Sequence, residues 1–129
     1  MEKVVGTICL DTDACIEIIR ASSLGEKILS FLGDSEIALS SISVFELYSR
    51  ETHLEQIDFF LENVNIISFD EDAAKIASDL RKKLMKLGQG IEFRDIFVGA
   101  TCISHNYLLL TLNKKHFERI KDLKIAEIK

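Results

Sequence analysis

Short apolar runs alternate with segments of helical spacing along the whole chain, and this alternation limits the folds open to it. "VVGTICL", residues 4–10, is β-branched and apolar throughout, as suits a strand buried on both faces. "SEIALS", "NVNIISF" and "YLLLT" repeat the pattern, and "KIAEI" reads as a final edge strand. Between these runs the spacing turns helical. Apolar residues stand at 15, 18 and 19, and a second helix is expected over 24–32, with Gly25 weakening its start and Gly33 stopping it. Helical spacing then runs through Val44, Leu47, Tyr48, Leu54, Ile57 and Leu61, with a break expected near Thr52.

The clearest helix is "DEDAAKIASDLRKKLMKL", whose apolar positions 73, 76, 77, 80, 84 and 87 follow the i, i+3, i+4 rule. Gly88 and Gly90 end it. One more helix is expected over 95–105 and a helical turn over 114–119. Parallel strands require crossovers of this kind, so the expected class is α/β: one parallel sheet covered by helices on both faces. At 129 residues, with no linker or internal repeat, the chain reads as one domain, 1–129.

The run Val4–Leu10 is too short to span a bilayer, and Asp11 closes it without a signal-peptide cleavage pattern, so a cytoplasmic protein with no membrane contact is expected. Cys9, Cys15 and Cys102 show no CxxC spacing and read as buried free thiols. His53, His105 and His116 do not form a zinc pattern. A net charge of −5 argues against binding nucleic acid by bulk electrostatics.

Ligands of an open parallel sheet bind beyond the carboxyl ends of its strands. Asp11 lies at that end of the first strand, with Asp13 two residues on. Glu46 follows the second strand inside an apolar stretch, and Asp95 opens the helix leading to the fourth. Thr111 and Asn113 close that fourth strand. Carboxylates gathered there would repel one another and hold raised pKa values unless a cation joined them, and an all-oxygen set suits Mg²⁺ or Mn²⁺. Each acid also has a plainer explanation. Asp11, Asp13 and Asp95 could cap or complement helix N-termini, as Asp70, Glu71 and Asp72 are expected to do.

Taken together, "LDTDACIEI", "SSISVFELYSR" and "LGQGIEFRDIFVGATCISHNYLLLTLNKKHF" resemble the PIN-domain family, specifically the toxin ribonucleases of VapBC toxin–antitoxin systems. The resemblance implies a three-layer α/β/α fold with a central parallel sheet of four to five short strands. It also implies a Mg²⁺- or Mn²⁺-dependent endoribonuclease with Asp11, Glu46 and Asp95 as catalytic, metal-holding acids. Thr12, Asp13 and Thr111 would support them. Many members carry a fourth acid where this chain has Asn113, which could still ligate through its carbonyl or a bound water.

The resemblance further implies an RNA substrate, a cognate antitoxin and a homodimer. Arg94, Lys114 and Lys115 are the expected contacts to the RNA backbone, whereas "RKKLMK" reads first as a solvated helix face. Phe59 and Phe60 are adjacent on a helix and cannot both face one core, which leaves one for a homodimer or antitoxin contact or for a second layer of the same domain. Two other readings remain open. One is a response-regulator receiver with Asp70 as phosphoacceptor; the other is a PIN-like domain that binds RNA or partners without cutting.

Overall fold

The protein is described by a computed structural model covering residues 6–128. Val4 and Val5, assigned above to the first strand, lie outside the described residues. Four parallel strands, β1 (Thr7–Leu10), β2 (Glu36–Ser40), β3 (Asn65–Ile67) and β4 (Leu108–Leu110), form a sheet in the order β3-β2-β1-β4. Leu10 pairs with Leu39 on one side and Leu110 on the other, so the carboxyl ends of β1, β2 and β4 are level. Strand order switches direction around β1, and this is where an open parallel sheet has its ligand crevice.

Successive strand residues point to opposite faces. Ile8, Leu10, Leu39 and Leu110 pack under α1 (Thr12–Ile19), α2 (Ser23–Leu32), α3 (Ser41–Tyr48) and α4 (Leu54–Leu61). Cys9, Ala38 and Leu109 pack under α5 (Glu71–Lys86) and α6 (Phe93–His105), together with Phe117, Ile120 and Leu123 around the single-turn α7 (Lys114–Phe117). The three layers and the parallel sheet are as expected. All three cysteines are buried and free. Among the described residues no helix is long and apolar enough to cross a membrane.

Four sequence expectations need adjustment. "KIAEI" contributes only a bridge: Leu109 exchanges hydrogen bonds with Lys124 (2.9 Å) and Ala126 (2.8 Å), and no strand extends from it. The last helical turn ends at Phe117 rather than residue 119. Helix α6 begins two residues before Asp95, and its N-cap is Glu92, so Asp95 sits within the first turn and does not cap it. Gly25 does not mark a weak start to α2. A Cβ there would lie 2.1 Å from the Glu17 carbonyl oxygen, so the close crossing of α1 and α2 requires glycine.

Asp70 caps α5, accepting a hydrogen bond from Ala73 N at 3.0 Å. It follows β3, the strand at the far edge of the sheet, whereas a receiver places its third strand beside the first. Asp70 is therefore separated from Asp11 by a whole strand, and the receiver reading fails on topology.

Candidate active site

The site is built around Asp11, the residue that ends β1 and caps α1. Its backbone is extended, which aims the carboxylate back over the first turn, and Oδ1 accepts from Ala14 N at 3.1 Å. Oδ2 accepts from the Thr111 hydroxyl, just past β4, and Asp11 N donates to Leu110 O at 3.1 Å. The expected capping role is real, but it uses only one of the two oxygens. Asp11 is only 6% exposed. Burial pushes its pKa up to about 6 despite these hydrogen bonds, and the charges of Asp13 and Asp95 push the same way.

Glu46 reaches the same place from the last turn of α3. Its Oε1 accepts from Thr12 Oγ1 at 2.7 Å, and its Oε2 lies 3.0 Å from Arg94 Nη1. Asp95 is half-buried, and its carboxyl is held above the usual range by burial, against the pull of His116 and Arg94. His116 Nδ1 stands 3.4 Å from Asp95 Oδ2. Asn113 directs its amide nitrogen to Asp13 Oδ2 at 3.0 Å, so the residue standing in place of a fourth acid relieves repulsion instead of adding to it. Its backbone N–H also donates to Thr111 Oγ1 at 2.9 Å.

Asp11, Asp13, Glu46, Asp95 and Asn113 thus share one cleft of about 200 Å³ beyond the ends of β1, β2 and β4. Thr12 lines it as well, while Thr111 acts from behind Asp11. The expected RNA contacts divide. Arg94 lines the cleft but is committed to Glu46 and to Glu92 (3.0 Å from Nε). Lys114 is paired with Glu127 at 2.5 Å, and Lys115 is exposed.

Two polar residues of the cleft escaped the sequence reading: buried Ser43 and exposed Arg50. Their signal was present, since positions 43, 46 and 50 are three and four apart and share a helical face with Glu46.

Among the described residues, no three histidine, cysteine or acidic side chains stand close enough to form a ready metal cage. Each acid is held by a neighbour of its own: Thr111 for Asp11, Thr12 and Arg94 for Glu46, His116 for Asp95, Asn113 for Asp13. The donor set still fits a hard divalent cation. It is all oxygen, crowded with like charge, and two of its carboxyls are raised in pKa, so an added cation would be stabilised there.

Comparison with known proteins identifies the family. The PIN domain family model matches residues 8–123. Ribonuclease VapC1 of Methanocaldococcus jannaschii is 32% identical over 123 residues, covering 95% of this chain and 87% of that protein. The tRNA(fMet)-specific endonuclease VapC of Shigella flexneri is 24% identical, covering 92% and 95%. Among solved structures, VapBC2 of Rickettsia felis bound to a promoter DNA fragment superimposes with a TM-score of 0.83 at 27% identity, covering 93% of this chain and 97% of that one. With a family model spanning nearly all the described residues and a relative of this similarity, the chain belongs to the PIN-domain family, in its VapC ribonuclease branch.

Proposed function

We infer that this protein is a divalent-metal-dependent endoribonuclease, the toxin half of a toxin–antitoxin pair. The observation that carries the chemistry is the convergence of Asp11, Glu46 and Asp95, from three separate elements, on one polar cleft. Asp11 and Asp95 are the proposed direct ligands of Mg²⁺ or Mn²⁺, with Glu46 beside them and the Asn113 carbonyl in reach through a water. The ion, when bound, would supply an acidified water and stabilise charge on the scissile phosphate. Thr111 and Thr12 orient Asp11 and Glu46, and Asn113 holds Asp13. Arg50 and Arg94 place positive charge where an RNA phosphate would enter. The buried, pKa-raised Asp11 in this cleft favours the catalytic reading over a merely binding PIN-like domain.

The antitoxin reading rests on kinship with VapBC complexes and on one surface. Phe59 is 69% exposed while Phe60 packs into the core, and with Ile18 and Ile19 they border a groove of about 400 Å³. Assembly as a homodimer belongs to the same reading, and light scattering measures it.

The deciding experiment is Mn²⁺ calorimetry on wild type and Asp95→Asn, followed by RNA cleavage. Loss of binding with the fold intact by circular dichroism supports the site. Equal binding by the variant removes Asp95 from it.

A further inference from the structure

The chain's charge is strongly segregated. Ten of its 16 lysines and arginines, but only three of its 21 acids, fall within residues 81–94 and 114–124. Folding brings these two segments together. The last turns of α5 and the stretch after α7 border a groove of about 340 Å³, floored by Leu80, Leu84 and Ile120. Its rim carries Lys83, Lys86, Arg119 and Lys121 against a single acid, Asp122. Arg119 also reaches the Gly90 carbonyl (3.4 Å), tying the groove to the loop that leads into α6 and Asp95. Phe117, two residues before Arg119, lines the catalytic cleft. The stretch from Phe117 to Asp122 therefore contributes to both the cleft and the groove.

We propose that this groove is a second RNA subsite, which holds the phosphates of the substrate strand outside the cleft. The proposal rests on the ribonuclease reading and extends it. Phosphate is the complement of a rim with four cations to one acid, and the aliphatic floor accommodates sugars and base faces without reading sequence. It also resolves the charge objection: a chain of net charge −5 gathers its cations where the strand leaves an acidic active site. "RKKLMK" is thus more than a solvated helix face.

The test is a Lys83→Ala/Lys86→Ala/Lys121→Ala variant, assayed on a short single-stranded RNA that only fills the cleft and on a longer one. All three lysines are exposed, so the fold should survive, and circular dichroism checks it. For the longer RNA, KM should rise about tenfold and the salt dependence of binding should fall by about two in log–log slope, three lost phosphate contacts at about 0.7 each. The turnover number and all constants for the short RNA should stay as in wild type. An unchanged KM for the longer RNA overturns the subsite, as does an equal rise for both lengths, which would mark a diffuse field. A synthetic acidic amphipathic peptide that binds the groove while longer-RNA KM stays unchanged would reassign it to a protein partner. If wild type cuts neither RNA, the ribonuclease reading itself falls; if it cuts both and the variant matches it, only the subsite falls.

Discussion

Asp11 and Thr111, one hundred residues apart in sequence, meet across the carboxyl ends of neighbouring strands, where the threonine hydroxyl donates to Asp11 Oδ2. That hydrogen bond favours the ionised carboxylate and opposes the effect of burial. Thr111→Val removes it without changing the side chain's shape. Asp11 should then protonate at higher pH, and the acid limb of Mn²⁺ binding should move up by about one pH unit. Leaving a buried oxygen unpaired should also cost about 1–3 kcal/mol of stability, read by urea unfolding. An unmoved acid limb would show that the hydroxyl does not set the Asp11 charge.

The same carboxyl makes the metal-free protein less stable as pH rises. Its folded pKa, about 6, lies above the ordinary 3.8, so the native state holds the proton more tightly than the unfolded chain. The stabilising contribution is fully present below 3.8 and is lost as pH climbs through about 6. A difference of this size corresponds to something on the order of 3 kcal/mol. With EDTA present, Asp11→Asn should therefore be more stable than wild type near neutral pH, and the advantage should vanish at about pH 4. Denaturant titrations at several pH values measure it, and a constant difference would contradict the assignment.

Much of this site was legible because strand ends and helix periods fix position. Asp11 stands where a short apolar run stops, Asp95 where a helical pattern begins, and Glu46 as the one acid inside an apolar stretch, so their place could be read in one dimension. The partners they take could not. Nothing in the sequence pairs Arg94 with Glu46 or His116 with Asp95, because those contacts depend on how helices cross. The meeting of Lys83 and Lys86 with Arg119 and Lys121 was hidden for the same reason. "KIAEI" was read as a strand because alternation predicts extended backbone, and it cannot show that only Ile125 finds a ladder partner.

Arg94 holds the Glu46 carboxylate that the proposed metal ion would also need. The pair with Glu46 is partly exposed (57% and 21%), so it contributes little stability, within about 1 kcal/mol after solvent screening. Arg94→Gln should free Glu46 and tighten Mn²⁺ binding about threefold, while RNA binding weakens through the lost cation. Opposite changes in the two affinities, by calorimetry and by fluorescence anisotropy, are the expected signature. Weaker metal binding would mean instead that Arg94 holds Glu46 in its productive orientation.

Gly25 lies outside the cleft, yet the crossing it permits sets the course of α1, which Asp11 caps. A Cβ at Gly25 would meet the Glu17 carbonyl oxygen at 2.1 Å and its carbon at 2.6 Å. These are backbone atoms that cannot rotate aside, so Gly25→Ala must separate the helices, at a cost of about 1–3 kcal/mol or more. Gly99 is the control. A Cβ there meets side chains only: the tip of Ile120 at 3.0 Å, a flexible end that must give slightly, and Leu123 and Phe117 at ordinary contact distances of 3.7 and 4.0 Å. Alanine's better helix propensity, up to about 1 kcal/mol, should leave Gly99→Ala near neutral. Because Asp11 caps α1 through Ala14 N, shifting the helix also disturbs the carboxylate. Gly25→Ala should therefore lower both the melting temperature and the Mn²⁺ affinity, and Gly99→Ala should change neither much. Equal melting temperatures for the two variants would show that the α1–α2 crossing has slack, and that Asp11 is positioned by its strand alone.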